Sequence, residues 1–177
     1  MIRRRPAIRI RLATPDDGAA VEQVFAGMSQ ASRRLRYLVS IDRLTPSMKQ
    51  ALLDVDGDRH VLLVAEVGPR RSRRAVGLAR YVVDGPGRAE IAYEVVDAWQ
   101  GRGVGTRLLR RLVAVARERG LDVLHGSVLA ENRASLALLH RVIPQLVVRQ
   151  GVYEFEFSAA LTPQPLTAAD LAMTRSA

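Results

Sequence analysis

Residues 89–109 have the sequence Ala89-Glu-Ile-Ala-Tyr-Glu-Val-Val-Asp-Ala-Trp-Gln-Gly-Arg-Gly-Val-Gly-Thr-Arg-Leu-Leu109, and this stretch decides the fold. It predicts a β-strand, a glycine-rich turn and the start of an amphipathic helix that runs to Arg119. A glycine-rich turn that opens a helix presents backbone N–H groups for which the helix has no acceptor, and the helix dipole adds partial positive charge there. The stretch therefore predicts a site where the main chain binds a phosphate or pyrophosphate.

The length and composition of the chain indicate one globular domain. With 177 residues, 48% of them hydrophobic and 25% charged, the chain can bury a sizeable core. No apolar run approaches the roughly 18 residues of a membrane span, and no apolar signal core follows the basic N-terminus, so neither a membrane partner nor secretion is expected. The absence of cysteine excludes disulfides and thiolate chemistry, and it is consistent with a cytoplasmic protein.

The formal net charge is +9, and Lys49 is the only lysine among the 27 basic residues. A basic protein can bind nucleic acid, a membrane surface or a polyanionic small molecule. The arginines are scattered, and no aromatic residues interleave with them as a base-stacking platform requires, so nucleic acid is not the expected partner. A homodimer is compatible with the sequence, which does not specify the oligomeric state.

Periodicity and turn signals divide the chain into alternating strands and helices. Thr14 as an N-cap, followed by Pro15 and two acidic residues, predicts a helix over residues 15–28. Further helices are predicted over 29–38, 46–53, from the glycines to 119, and 132–142, and strands over 7–12, 60–67, 75–83, 89–96, 122–129, 145–149 and 152–158. Residues 1–158 thus form one domain. The tail, residues 159–177, lacks core-forming content, so we expect it to be loosely ordered or docked on a partner.

The spacing of the motif residues excludes two familiar phosphate sites and a metal site. A P-loop needs Gly-Lys-Ser/Thr, and a dinucleotide-binding turn needs G-x-G-x-x-G, whereas counting from Gly101 or Gly103 ends on Thr106 or Leu108. The strand before the turn also belongs to an antiparallel meander, not to a parallel sheet. The turn at residues 54–59 has part of a calcium-loop pattern but lacks the later ligands, so no metal is expected.

The motif that is present is Gln100-Gly-Arg-Gly-Val-Gly, with the spacing Q-x-x-G-x-G between a strand and a helix. With this motif the chain resembles the GNAT superfamily of acetyl-CoA-dependent N-acetyltransferases, whose signature is R/Q-x-x-G-x-G/A. The order of predicted elements over residues 7–158 extends the resemblance. It implies an α/β fold with a mixed, mostly antiparallel sheet of about seven strands and four to five flanking helices. Ser32-Arg-Arg-Leu-Arg-Tyr and Leu129-Ala-Glu-Asn-Arg are similar to segments of Pat-type bacterial protein lysine acetyltransferases.

The resemblance implies acetyl-CoA as co-substrate and assigns its contacts. The pantetheine arm would lie along Val95, Val96 and Asp97, with main-chain hydrogen bonds at Val95 and Asp97, where the strand separates from its neighbour. The pyrophosphate would be held by Gln100, Gly101, Arg102, Gly103, Val104, Gly105 and Thr106, and Asn132 would contact the cofactor arm. Alternatively, Asn132 serves only as a helix N-cap, and Arg102 and Arg107 are solvated surface charges. Three glycines in five residues would be costly without a ligand that approaches closely.

Acyl transfer from a thioester to an amine needs a base, because a lysine-type amine has a reference pKa near ~10.4. Glu90 and Glu94 are the candidates, since strand alternation places both on one face. The resemblance places Glu90 where related lysine acetyltransferases carry their catalytic glutamate, and the alternative for Glu90 is a cross-strand salt bridge with Arg80. Many family members carry a tyrosine acid seven residues after the asparagine. This chain has Leu139 there, and His140 is expected at the surface, so the proton source for the leaving thiolate stays open.

The sequence therefore predicts an N-acetyltransferase that moves an acetyl group from acetyl-CoA to a primary amine by direct attack in a ternary complex. A protein lysine is the favoured acceptor, and a small-molecule amine is the alternative among enzymes. From a different class, the domain could be a non-catalytic acyl-CoA sensor whose partner responds to its ligand state. Replacement of Glu90 by glutamine discriminates between these hypotheses, because only an enzyme has turnover to lose.

Overall fold

The computed structural model describes residues 7–143 and 145–161, which contain seven strands and five helices. The strands are β1 (Ile8–Leu12), β2 (His60–Val67), β3 (Arg74–Gly85), β4 (Arg88–Val95), β5 (Val123–Leu129), β6 (Leu146–Gln150) and β7 (Glu154–Ala160). The helices are α1 (Gly18–Ala26), α2 (Gln30–Tyr37), α3 (Pro46–Leu53), α4 (Val104–Glu118) and α5 (Arg133–Val142).

The seven strands form one sheet in the order β1-β2-β3-β4-β5-β7-β6. All neighbouring strands are antiparallel except β4 and β5, which are parallel because α4 connects them in a crossover. The predicted fold class, a mixed and mostly antiparallel sheet with flanking helices, is therefore confirmed. Within the described part of the chain, no helix has both the length and the apolar character needed to cross a membrane.

An apolar core covers each face of the sheet. On one face, α4 contributes Leu108 and Leu112, which recur at helical spacing, and α5 contributes Leu139. On the other face, Val21 of α1 packs with Leu62 of β2. Because both faces of the central strands are covered, a polar residue there must either find a partner or face a cleft.

The sheet splits between its two parallel strands. Only three residue pairs join β4 to β5, from Arg88↔Val123 to Glu90↔His125. Beyond Glu90 the two strands diverge, while β4 remains paired with β3 and β5 with β7. The separation of strands implied by the family resemblance is therefore present, and it leaves one edge of β4 without a partner strand.

Helix α1 begins three residues later than predicted and ends at Ala26 rather than Met28. The cause is Asp17, which accepts a hydrogen bond from the Thr14 N–H at 2.8 Å and two from the Arg11 guanidinium at 2.6 and 2.8 Å. The hydrogen bond from Arg11 lowers the pKa of Asp17 to about 2. Thr14 is therefore part of a turn closed by Asp17, and it is not the N-cap of the helix.

The other predicted boundaries differ from the observed ones by at most two residues, and α3 and β2 have the predicted bounds. At the C-terminal end, β7 continues to Ala160, and Leu161 is buried. The folded chain therefore extends past residue 158, where the domain was predicted to end. The rest of the predicted tail, residues 162–177, lies outside the described residues.

Candidate active site

A cleft of about 770 Å³ opens where β4 and β5 separate. Its walls come from α2, the strands β3, β4, β5 and β7, the turn that begins α4, and one side of α5. Most of the predicted site residues line it, namely Glu90, Glu94, Val95, Gln100, Gly101, Arg102, Gly103, Gly105, Thr106 and Asn132. Val96, Asp97 and Val104 lie outside its lining, so the structure brings together both candidate bases and most of the predicted cofactor contacts.

The main chain of β4 faces the split at alternate residues. The Val96 N–H donates to the Val76 carbonyl at 3.0 Å, which identifies the hydrogen-bonded pairs of the β3–β4 ladder. Because these pairs alternate, Tyr93 and Val95 turn their N–H and C=O groups away from β3 and towards the split. The Val95 carbonyl accepts a hydrogen bond from Gln100 Nε2 at 3.1 Å. The Val95 N–H therefore faces the split, and its contact with the cofactor arm stays a prediction.

Val96 and Asp97 do not line the cleft, and both contact Gly27 instead. Val96 packs against Gly27, where an added Cβ would lie 2.6 Å from Val96 Cγ1. The Asp97 N–H donates to the Gly27 carbonyl at 3.1 Å, and the Asp97 carbonyl accepts from the Gln100 N–H at 3.2 Å. The Asp97 N–H is therefore not available to a ligand, and the Asp97 carbonyl already accepts one hydrogen bond. Its carboxylate accepts a hydrogen bond from the Ser29 N–H at 3.2 Å, which fixes the start of α2.

The three glycines of the motif each have a structural cause. Gly101 and Gly103 have φ angles of +67° and +84°, in the region that favours glycine, and an added Cβ at either would meet nothing within 4 Å. At Gly105 an added Cβ would lie 3.0 Å from Leu138 Cδ2, so the absence of a side chain lets α4 approach α5. The expectation that only a closely approaching ligand explains these glycines is therefore wrong.

The turn nevertheless leaves a set of backbone N–H groups without acceptors. Within the described chain, the backbone N–H groups of residues 101–106 donate to no other group, as expected where a turn leads into a helix. Val104 is buried, so it can contribute only its N–H. Arg102 lies over the Trp99 ring, 5.2 Å from its centroid, and lines the cleft, whereas Arg107 lies outside the lining and donates to the Ile8 carbonyl at 3.4 Å.

Asn132 caps α5 and also lines the cleft. Its Oδ1 accepts a hydrogen bond from the Ser135 N–H at 3.1 Å, so the predicted capping role is present. The cap uses the amide oxygen, and the amide Nδ2 has no partner among the described residues. The two interpretations of Asn132 are therefore compatible, since one end of the amide caps the helix and the other remains free to donate.

Four charged side chains from three elements meet on one face of the sheet, and we call them the charged strip: Arg36 of α2, Arg80 of β3, and Glu90 and Glu94 of β4. Alternation along β4 puts both glutamates on the same face, as predicted. Arg80 lies opposite Ala92, hence between the two glutamates on the neighbouring strand. All four side chains line the cleft.

Glu94 is committed to a buried ion pair. Its carboxylate accepts a hydrogen bond from Arg36 Nε, and the two side chains are only 4% and 12% exposed. Burial opposes the charge on Arg36, but the Glu94 carboxylate offsets burial, so the pKa of Arg36 is raised. Glu94 could take up a proton only by giving up this pair. Sequence analysis missed Arg36, because α2 contains several arginines that all have the pattern of solvated charges.

Glu90, in contrast, is exposed and unpaired. The cross-strand salt bridge with Arg80 that was its alternative role is not formed among the described residues, although Arg80, opposite Ala92, is a diagonal neighbour of Glu90 on the same face. Glu90 is also the last residue of β4 that pairs with β5, so its carboxylate lies where the split begins. Of the two candidate bases, Glu90 is the one whose carboxylate is free.

The cleft also contains a phenol that sequence analysis did not single out. Tyr93 lines the split, and its hydroxyl donates to the Ser135 carbonyl at 3.2 Å. Burial raises the pKa of Tyr93 to about 12, so the phenol is neutral at physiological pH. Leu139, at the position of the family's tyrosine acid, is fully buried, and His140 is exposed as expected.

A family model described as Acetyltransferase (GNAT) family matches residues 28–142. An acetyltransferase of Pseudomonas aeruginosa is 31% identical over 128 residues, which cover 72% of this chain and 69% of that protein. The acetyltransferase Pat of Mycolicibacterium smegmatis is 29% identical over 140 residues, which cover 75% of this chain and 40% of Pat. The chain thus matches less than half of the length of Pat.

A solved structure of a GNAT domain has a similar fold. The GNAT domain of PAT from S. lividans superposes with a TM-score of 0.78 at 26% identity, covering 86% of this chain and 90% of that domain. The resemblance seen in the sequence, including the similarity to Pat-type proteins, is confirmed by these matches.

Proposed function

Because the chain belongs to the acetyltransferase (GNAT) family, we propose that it transfers an acetyl group from acetyl-CoA to a protein lysine, with Glu90 as the base. GNAT proteins use acetyl-CoA as co-substrate. The observation that carries the proposal is the unpaired carboxylate of Glu90 at the start of the split, on the strand whose Tyr93 and Val95 N–H groups face the cleft. A proton acceptor and hydrogen-bond donors for an oxyanion thus lie on one strand.

The described residues fit two parts of acetyl-CoA, the pyrophosphate and the pantetheine arm. The unpartnered N–H groups of residues 101–106 match the pyrophosphate, and Arg102 can add a charge-assisted contact. The unpaired edge of β4 suits the pantetheine arm, whose amides can bond to it as an added strand would. The free amide Nδ2 of Asn132 is a further donor for this arm.

In the proposed reaction, Glu90 takes a proton from the incoming ammonium group, directly or through one water. The nitrogen lone pair then attacks the thioester carbonyl carbon, and the Val95 N–H stabilises the oxyanion that forms. The C–S bond breaks with its electron pair on sulfur, and the thiolate takes up the proton that the new amide nitrogen loses. A thiol has a reference pKa near ~8.5, so it leaves without strong acid assistance.

Glu94 is the weaker candidate for the base because of Arg36. A general base must gain and release a proton in each cycle, and protonation of Glu94 would leave a buried guanidinium without its counter-charge. We therefore assign Glu94 a positioning role, in which it holds Arg36 and the end of α2 against the cleft.

Two observations support a protein lysine over a small amine as the acceptor. The similarity to the GNAT domain of S. lividans PAT extends over most of both chains. The net charge of +9 also disfavours polyamines, since like charges repel. Another small-molecule amine remains the second candidate, and a non-catalytic acyl-CoA sensor the third.

Thermal unfolding with acetyl-CoA, followed by mass spectrometry of candidate acceptors, tests this proposal. At 100 times its dissociation constant, acetyl-CoA should stabilise the protein by about 2.7 kcal/mol. Lysine-containing peptides and proteins should then become acetylated. The absence of any thermal shift would contradict acetyl-CoA binding. Acetylation of small amines alone would contradict the lysine acceptor, and a thermal shift without acetylation of any amine would favour the sensor.

A further inference from the structure

Arg80 is a half-buried guanidinium in the cleft wall without an acidic partner of its own. It lies on β3, opposite Ala92 and between the positions of Glu90 and Glu94 on the neighbouring strand. Glu94 pairs with Arg36 instead. Among the described residues, Arg80 forms no ion pair and donates no side-chain hydrogen bond. Of the two arginines in the charged strip, Arg80 is therefore the one that has no ion-pair partner among the described residues.

The ionisable groups that surround Arg80 leave it in need of an anion. Arg36 and Glu94 neutralise each other, and burial raises the pKa of Tyr37 to about 12, so this phenol stays neutral. Glu90 carries the remaining negative charge, but it is exposed and does not pair with Arg80. The guanidinium of Arg80 and the carboxylate of Glu90 therefore lie on the same wall of the cleft without pairing with each other.

The environment of Arg80 opposes its charge. Burial, followed by repulsion from Arg36, lowers the pKa of Arg80 below its usual value. A cation taken out of water without an acceptor destabilises a fold, and a guanidinium is well shaped to bind a carboxylate with two parallel hydrogen bonds. An anionic ligand group at this position would remove the penalty.

We propose that Arg80 binds an anionic group of the acceptor, close to the amine that Glu90 deprotonates. The inference rests on the proposed acetyl transfer with Glu90 as the base, and it narrows the acceptor to amines with an acidic neighbour. The acidic group has two sources with the same chemistry: the carboxylate of an amino acid, or an Asp or Glu side chain beside an acceptor lysine. In both cases the amine meets Glu90 and the anion meets Arg80, so the two free charges of the strip are matched together.

Arg80 is not placed to hold the phosphates of acetyl-CoA. The proposed pyrophosphate site at residues 101–106 follows the far end of β4, whereas Arg80 lies opposite Ala92, close to where the split starts. Ala92 also points to the face opposite that of Tyr93, so Arg80 lies on the α2 side of the sheet. The net charge of +9 further favours acidic acceptors over basic ones.

The test compares acceptors that differ in one carboxylate. The first set pairs free amino acids with their carboxamides, and the second pairs terminally blocked peptides in which lysine is followed by Asp or by Asn. With saturating acetyl-CoA, we expect kcat/KM to be at least about tenfold higher for the carboxylate member in one set, because hydrogen bonds between charged groups are strong. The set that shows the preference identifies the source of the anion. Equal kcat/KM within every pair would overturn the proposal.

Variants then assign the preference to Arg80. Arg80→Gln should lower kcat/KM about tenfold for the preferred carboxylate acceptor and leave its amide counterpart within about twofold, and Arg80→Lys should restore part of the loss. Arg71→Gln removes the same charge from an exposed turn outside the cleft, and it should keep the preference. An unchanged preference in Arg80→Gln, or an equal loss in Arg71→Gln, would show that the anion is not bound at Arg80.

Separate controls distinguish a variant that does not fold from a failure of the proposed anion site or of the proposed function. Thermal stabilisation by acetyl-CoA verifies that each variant is folded, and if Arg80→Gln does not fold, the smaller preference expected of Arg80→Lys decides in its place. Acetylation of both members of every pair at equal rates overturns the anion site alone. No acetylation of any amine overturns the proposed function and this inference together.

Discussion

The two ends of the cleft are built in different ways. At the glycine turn, residues 101–106 offer backbone N–H groups whose directions follow from the local chain conformation. The charged strip instead combines side chains from α2, β3 and β4, which meet only when the chain folds. The turn should therefore tolerate side-chain changes wherever a non-glycine residue fits its backbone. The charged strip should lose stability when one member of its ion pair, Arg36 or Glu94, is removed.

The largest expected effect on stability comes from breaking the buried pair of the strip. Arg36→Met leaves the Glu94 carboxylate buried without a cation, which should cost about 3–5 kcal/mol in the free energy of unfolding. Arg34→Met, on the same helix but in a solvent-exposed pair with Glu131, should cost at most about 1 kcal/mol. Urea unfolding of both variants measures the difference. Equal losses would mean that the pair is not buried in solution.

A smaller effect is expected where the turn requires a left-handed backbone. Gly103→Ala places a Cβ on a residue with φ of +84°, which should cost about 1–2 kcal/mol and weaken acetyl-CoA binding. Gly120→Ala is the matched control, because Gly120 has φ of +71° at the other end of α4, outside the cleft. It should lose similar stability while the dissociation constant for acetyl-CoA, measured by calorimetry, stays unchanged. Equal weakening in both variants would contradict a binding role for the turn.

The smallest effect concerns the phenol between the two ends. Tyr93→Phe removes a hydrogen bond to Ser135 and should cost about 1 kcal/mol near pH 8. Since burial raises the pKa of Tyr93 to about 12, above the value near ~10 of an unfolded tyrosine, its stabilisation is complete below pH ~10 and is lost as the pH rises to about 12.

Unfolding of Tyr93→Phe in urea at pH 8 and pH 11 checks this sign. The variant should lose less stability between the two pH values than the wild type does. Tyr153→Phe, at a residue that is 81% exposed, should behave as the wild type. A pH dependence that is the same in Tyr93→Phe and the wild type would contradict the buried phenol.

The same contrast explains what could be predicted from the sequence. The glycine turn, the crossover helix and the alternation that puts Glu90 and Glu94 on one face are local patterns, and the fold confirms them. The pairing of Arg36 with Glu94 joins residues 58 positions apart, and no local pattern distinguishes Arg36 from its neighbouring arginines. Helix α1 was placed too early for a similar reason, since the Arg11–Asp17 pair competes with the cap expected at Thr14.

Five statements stay predictions: the acceptor, the ternary-complex mechanism, the role of each cofactor contact, the cytoplasmic location and a homodimer.

Turnover of Glu90→Gln tests the central claim most directly. With saturating acetyl-CoA and acceptor, kcat should fall by about 10²–10⁴-fold, as expected for loss of a general base. Thermal stabilisation by acetyl-CoA should match that of the wild type, because the proposed cofactor contacts are on other residues. Glu118→Gln, on the exposed side of α4, is the control and should keep full activity. Wild-type turnover in Glu90→Gln would contradict the assignment of Glu90 as the base.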